Sequence, residues 1–193
     1  MKLFYLLSLL SVFYSDVKVT VLPHTKVSDK EIHVYEKPDP IEPHECISAW
    51  YQSQTHVREL TGNNDGKEVE NYLRHTKLGK GNPWCAAFVR TGFDTCGVKT
   101  SITAWSPTAH NDKNVVYFKG KKHKEVQAGK DVFTIYYASK KRIGHTGFAH
   151  KTFSETVTET VEGNTAPSGT REGHGVYRMK RQTKSLYSIT RWE

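Results

Sequence analysis

The chain has 193 residues, with 28 lysines and arginines against 20 aspartates and glutamates, a formal charge of +8 at neutral pH. A hydrophobic share of 36% beside 25% charged residues excludes a polytopic membrane protein and a disordered low-complexity chain. The length suits one domain with a real core better than two. The positive balance points to an anionic partner, a description that nucleic acid, anionic lipid and anionic wall polymer all meet.

Met1 and Lys2, followed by an apolar stretch over residues 3–14 broken only by Ser8 and Ser11, have the shape of a signal peptide over residues 1–15, too short to span a bilayer. Phe13 is bulky where cleavage after Ser15 favours a small residue, so a buried N-terminal strand or helix is the competing reading. Residues 16–43 alternate weakly over 17–22 and then carry Pro23, Pro38, Pro40 and Pro43 among charges, which reads as a linker or N-terminal arm. The catalytic domain is expected over residues 44–193. Three cysteines leave an odd one over, which in an exported protein suggests one free thiol. If that is Cys85, then Cys46 and Cys96 either pair or remain two buried thiols.

Ile47, Trp50 and Tyr51 fall at helical spacing and predict a helix over 45–54, with Trp50 in the core. The turn cluster over 61–66 offers Asn64 or Asp65 as a cap for a second helix, whose Val69, Tyr72 and Leu73 share one face, and Gly79 and Gly81 end it. The Gly-Lys pair there lacks the surrounding residues of a phosphate-binding loop. Asn82 and Pro83 are placed to cap and open a third helix running to about Cys96, with Cys85 in its first turn and Gly97 as the stop. There the thiol meets unpaired N–H groups and the positive end of the peptide dipoles, which favour thiolate, the nucleophilic form. Taken alone, Cys85 fits equally the commonest fate of a free cysteine, a small buried hydrophobe.

Residues 101–124 read as irregular, with Trp105, Pro107 and a basic tract over 119–124 that is either a solvated loop or a polymer contact. From Asp131 the period changes to two. Strands are predicted over 132–138, 145–153, 157–162, 176–179 and 187–192, an antiparallel meander. Helices followed by strands make an α+β fold with the helix of Cys85 packed on the sheet. His110, His123, His150 and His174 show no metal spacing and read as surface or incidental residues.

Downstream of Cys85 lie Gly144-His145-Thr146-Gly147-Phe148 and Val161-Glu162-Gly163-Asn164. Cysteine, histidine and a polar orienting group are the set that a thiol hydrolase needs. Residues two apart on a strand point the same way, so Glu162 and Asn164 are expected to address His145 together. In such a relay Cys85 attacks a carbonyl, His145 moves the proton, and Glu162 fixes the imidazole tautomer; the Cys85 N–H is one oxyanion donor.

The segments TGNNDGKEVENYL, NPWCAAFV, GHTGF, VEGNT and REGHGVYR, in this order, resemble the CHAP family of cysteine, histidine-dependent amidohydrolases/peptidases, relatives of the NlpC-type and papain-like thiol hydrolases. The resemblance covers residue 44 to the end. It implies a papain-like α+β domain, secreted or periplasmic, that cleaves peptidoglycan at the muramoyl-alanine amide or within its peptides, and that acts as a monomer without metal or organic cofactor. Carried over by position, Cys85 matches the nucleophile, His145 the base and Glu162 the third member, with Asn164 and Trp84 as orienting or oxyanion neighbours. The turn Ala128-Gly129-Lys130-Asp131 departs from the family, which usually has glycine directly before the aspartate. Two rivals stand beside this reading: a non-catalytic wall-binding module on the same fold, and a thiol peptidase that acts on protein. No aromatic-plus-basic motif of the RNA-binding kind occurs, so nucleic acid is not the expected partner.

Overall fold

The computed structural model describes residues 39–154, 156–168 and 173–193. The expected signal peptide, the alternating residues 17–22 and the arm as far as residue 38 lie outside the described residues. Within them, helices α1 (Pro43–Ser53), α2 (Lys67–His75) and α3 (Cys85–Thr95) precede strands β1 (Val115–Phe118), β2 (Lys121–Lys122), β3 (Asp131–Tyr137), β4 (Arg142–Ser154), β5 (Val157–Thr165), β6 (Gly175–Gln182) and β7 (Ser188–Arg191). The fold is α+β, with one sheet of order β2-β1-β7-β3-β4-β5-β6 in which every pairing is antiparallel.

Proline fixes its own φ and needs no N–H partner in a first turn, so α1 opens on Pro43, slightly ahead of the predicted start. Ile47 and Tyr51, four apart, are its buried stripe. In α2 the buried face is Val69, Tyr72 and Leu73, with Glu68 and Glu70 in the first turn and Arg74 and His75 in the last, each sign at the end that the helix dipole favours. Neither Asn64 nor Asp65 caps this helix. Its N-cap is Gly66, at φ 108°, a conformation open to glycine. Asp65 is committed to the preceding turn instead, accepting bonds from the Thr61 N–H at 2.9 Å and hydroxyl at 2.8 Å.

The third helix is buried along most of its length, from Cys85 through Val89 and again at Thr91, Gly92 and Phe93. It ends as its glycine predicts. Gly97, at φ 74°, donates to the Asp94 carbonyl and Val98 to the Phe93 carbonyl, the paired bonds that close a helix on a left-handed residue. Beside this stop Cys96 is joined to Cys46 of α1, with Cα atoms 5.8 Å apart, and Cys85 is the free cysteine. The disulfide ties α1 to the far end of the helix that carries the thiol.

Adjacent strand residues face opposite sides, and Val132 and Phe133 accordingly belong to two different cores. Val132, Phe148, Val161 and Val176 pack with the helices, whereas Phe133, Ala149, Leu186 and Ile189 pack with Val116 and Tyr117 of β1. The second core explains two departures from the predicted fold. β3 to β6 form the expected meander, but β7 returns to lie between β3 and β1, where Ile189 and Leu186 find an apolar face and Arg191 makes a bidentate pair with buried Asp131. Residues 115–122, read as irregular, form the β1–β2 hairpin. Its two-residue turn places Lys119 at φ 45° and Gly120 at φ 89°, the double positive φ that lets strands turn back tightly. The alternation is too brief there for periodicity to expose, and lysines hide the strand.

Candidate active site

Three elements meet at Cys85. The helix begins on Cys85 itself, with Trp84 as N-cap, and Phe88 donates the first helical bond to the Trp84 carbonyl. Asn82 and Pro83 therefore stand before the helix, and the Asn82 amide donates to the Gly79 carbonyl instead of capping. The thiol sits two residues nearer the open end of the helix than predicted. Trp84 is wholly buried, its indole N–H donating to Glu59 at 2.8 Å and its ring beside Tyr72 and Phe88. It braces the helix start from behind.

β4 presents His145 through a bulge. Ile135 pairs with His145 but Tyr136 pairs with Ile143, so Gly144 is the extra residue. A side chain at Gly144 would put its first carbon 2.3 Å from the Tyr137 ring, so only glycine fits. β5 brings Glu162 alongside, and the His145 Nε2–H donates to Glu162 Oε2 at 2.8 Å. That bond leaves Nδ1 as the other ring nitrogen, and His145 shares the cleft lining with Cys85, close enough for each to shift the other's titration. Cys85, His145 and Glu162 are thus a chain of neighbours.

Asn164 breaks from that chain. Register slips between Glu162 and Thr165, and Asn164 takes φ 54°, so the period of two expected to align Glu162 with Asn164 is interrupted. The Asn164 amide donates to the Asn64 side-chain oxygen, while the residue still lines the cleft. Asn64 in turn donates its backbone N–H to Glu59, the carboxylate that holds the Trp84 indole. The turn cluster over 61–66 is consequently a strut beneath the site, linking Trp84 through Glu59 and Asn64 to Asn164.

Other participants have no motif of their own. Arg181 on β6 clamps Glu162 with both arms, Nε to Oε1 at 2.8 Å and Nη2 to Oε2 at 2.6 Å, and the Thr160 hydroxyl also donates to Oε1. Ser106, from the loop after α3, places its hydroxyl 3.4 Å from the Cys85 sulfur. A forked cation on the strand neighbouring an acid is a pattern that sequence can hint at, but pairing Glu162 with Arg181 requires the β5–β6 register. The incidental histidines also find structural work: His150 bonds the Tyr51 hydroxyl at 2.8 Å, and His110 lies 2.9 Å from the Ser188 hydroxyl.

Cys85 is 5% exposed yet lines a cleft of about 330 Å³ together with His145, Ser106, Trp105 and Asn164 among others. Electrostatics favour a charged pair inside it. Burial alone would push the Cys85 thiol up, but its bond to His145, the imidazolium charge, the Ser106 hydroxyl and the Thr146 backbone outweigh this and hold it below its ordinary value. Burial would depress His145, but bonds to Cys85 and then to Glu162 raise it to about 9. Glu162, against the opposing effect of its burial, is held at about 2 by Arg181 and His145. The arrangement favours a thiolate–imidazolium pair, backed by a carboxylate that stays ionised, and this is equipment for nucleophilic attack with proton return.

Among the described residues no three His, Cys, Asp or Glu side chains cluster so as to hold a metal ion, and no helix is long and apolar enough to cross a membrane. No protein-family model, no curated protein and no solved structure matches this chain.

Proposed function

We propose that this chain is an exported thiol hydrolase that cleaves amide bonds in peptidoglycan, by attack of Cys85 with His145 as proton carrier and Glu162 as its orienting anion. The observation that carries the reading is the meeting of Cys85 and His145 in one cleft, with His145 hydrogen-bonded to Glu162 and Glu162 to Arg181. The papain-like and CHAP assignment rests on the sequence segments given above together with this order of nucleophile, base and acid.

In the proposed reaction the Cys85 sulfur forms a bond to the carbonyl carbon, and the negative charge moves to the carbonyl oxygen. The Cys85 backbone N–H, unpaired at the helix start, donates to that oxygen, and the Ser106 hydroxyl stands within reach as a second donor. Collapse breaks the C–N bond as His145 gives its proton to the leaving amine, leaving a thioester. Water, losing a proton to His145, then attacks the thioester and frees the acid, and the proton restores the pair. Glu162 never needs to take the proton: at about 2 it remains a carboxylate throughout.

Export is supported by the apolar leader and by the Cys46–Cys96 disulfide, a bond that persists in oxidising compartments. Digestion of purified peptidoglycan tests the activity. Soluble muropeptides are expected from the wild type and none from Cys85→Ala of equal thermal stability. New amino termini on the alanine next to muramic acid indicate an amidase, termini within the peptide an endopeptidase. Equal release by both proteins refutes the proposal.

A further inference from the structure

Among the described residues no aspartate or glutamate lines the cleft around Cys85, whereas Lys140 and Arg142 both do. They stand on either side of Lys141 where the short turn enters β4, four and two residues before the bulged Gly144 that precedes His145. Arg142 gives one N–H to the Ile143 carbonyl at 2.8 Å, and the Lys140 ammonium lies 5.7 Å from the Tyr137 ring centre. Among the described residues neither is paired with a carboxylate. Cys85 and His145 together carry no net charge whether the proton sits on sulfur or on nitrogen, and Glu162 behind them is paired with Arg181. The lining therefore keeps two uncompensated positive charges, along with Trp105, a large residue left 57% exposed.

Two uncompensated cations in a concave, partly desolvated opening concentrate anions and orient them. A guanidinium offers a planar fork that suits a carboxylate, and the neighbouring ammonium adds a point charge. We infer that Lys140 and Arg142 form a specificity subsite for a carboxylate on the substrate, close to the amide presented to Cys85. This assigns a substrate class to the proposed hydrolase and rests on that reading: the scissile amide belongs to an acidic molecule, and a neutral analogue of the same shape is the poorer substrate. Neither cation touches the reacting atoms, so both act on binding.

A pair of alkylating reagents tests the subsite without knowledge of the natural substrate. Iodoacetate and iodoacetamide place nearly the same group on sulfur: the Cys85 thiolate forms the S–C bond, the C–I bond breaks, and iodide leaves. They differ in charge. The ratio of their second-order rates at pH 7 in the wild type is compared with that in Lys140→Gln, Arg142→Gln and the double variant, with mass spectrometry assigning the label to Cys85. A unit charge about 6 Å from the reagent alters its local concentration about threefold in water. Each single variant is expected to lower the iodoacetate-to-iodoacetamide ratio about threefold and the double variant about tenfold, a ratio from which any change in thiolate fraction cancels because both reagents meet the same sulfur. Raising the salt to 0.5 M, where the screening length falls to about 4 Å, should shrink the wild-type preference toward that of the double variant. A ratio equal in wild type and double variant, with Cys85 still labelled, overturns the subsite and leaves the hydrolase reading standing. Failure of both reagents to label Cys85 faster than a model thiol overturns the hydrolase reading and the subsite with it.

Discussion

Replacing Glu162 by glutamine removes one charge from a site in which that charge does two jobs. Its carboxylate is wholly buried and its two oxygens take bonds from Arg181, His145 and Thr160. Glutamine keeps the size and one acceptor oxygen, but turns an amide NH2 toward donors. His145 stands at about 9 against an ordinary 6.5, a preference for imidazolium of about 3 kcal/mol. The thiol bond is the larger support and Glu162 the next. A counter-charge at hydrogen-bond range shifts a pKa by about 1–3 units. Its loss therefore moves the balance from thiolate–imidazolium toward neutral thiol and imidazole by a factor of about 10–1,000.

The assay is the pH dependence of iodoacetamide alkylation at Cys85. In the wild type, reaction should set in below 9.0, the ordinary thiol value. In Glu162→Gln the rate at pH 6–7 should fall at least about tenfold and recover only as pH rises past that ordinary value. Misfolding is the alternative cause of such a loss, since an unpaired Arg181 costs about 3–5 kcal/mol. The double variant Glu162→Gln, Arg181→Met removes both charges, so it should regain much of the stability while its alkylation profile stays shifted. A Glu162→Gln profile that superposes on the wild type would refute the reasoning.

Acid stability follows from the same carboxylate. Because the folded state lowers Glu162 from 4.5 to about 2, its contribution is complete above pH 4.5 and is lost as pH falls toward 2. Chemical denaturation should show the wild-type advantage over Glu162→Gln shrinking by on the order of 3 kcal/mol across that window. Opening the Cys46–Cys96 bond, which closes a 50-residue separation, should lower stability by about 2–4 kcal/mol in Cys46→Ser, Cys96→Ser, read from the urea midpoint with and without reductant. Gly163→Ala would bring a new carbon within 2.6 Å of the Trp84 ring and 2.8 Å of Phe88, so about 1–3 kcal/mol of overpacking and a slower Cys85 alkylation are expected together. Asp131→Asn should cost about 3–5 kcal/mol by stranding Arg191, and leave the alkylation profile in place because β7 and the start of β3 lie away from the site.

The helices and the meander were legible because their signals are local. Buried Ile47 and Tyr51, or Val69, Tyr72 and Leu73, repeat at the spacing of a turn, and Gly97 provides the left-handed stop. Cys85, His145 and Glu162 could be picked out as candidates because they stand at a helix start, in a glycine-flanked strand and beside a glycine in the next strand. Features that depend on pairing between distant strands were not legible. The placement of β7 beside β3 follows from an apolar face assembled by β1, β3, β4 and β7 together, which no single window contains. Asn164 was misplaced for a related reason. Alternation assumes an unbroken ladder, and the slip after Glu162 turns that amide to Asn64.

Of the breaks in regular pairing, two fall beside the candidate catalytic groups, one at Gly144 before His145 and one after Glu162, while the others lie between β1 and β7 and along β4–β5. An uninterrupted pair of strands would hold these side chains at the fixed spacing of the pleat, with little freedom to aim them at a sulfur on a separate helix. The first bulge shifts His145 relative to its β3 neighbours, and the second lets β5 pass so close to α3 that Gly163 lies against Trp84 and Phe88. Cysteine, imidazole and carboxylate can then meet although they come from a helix and two strands. The cost of burying Glu162 is met by Arg181 from the next strand, whose register with β5 is regular there, Thr158 pairing with Arg181 and Glu162 with Tyr177. Regular pairing fixes the counter-charge, and irregular pairing aims the reactive groups.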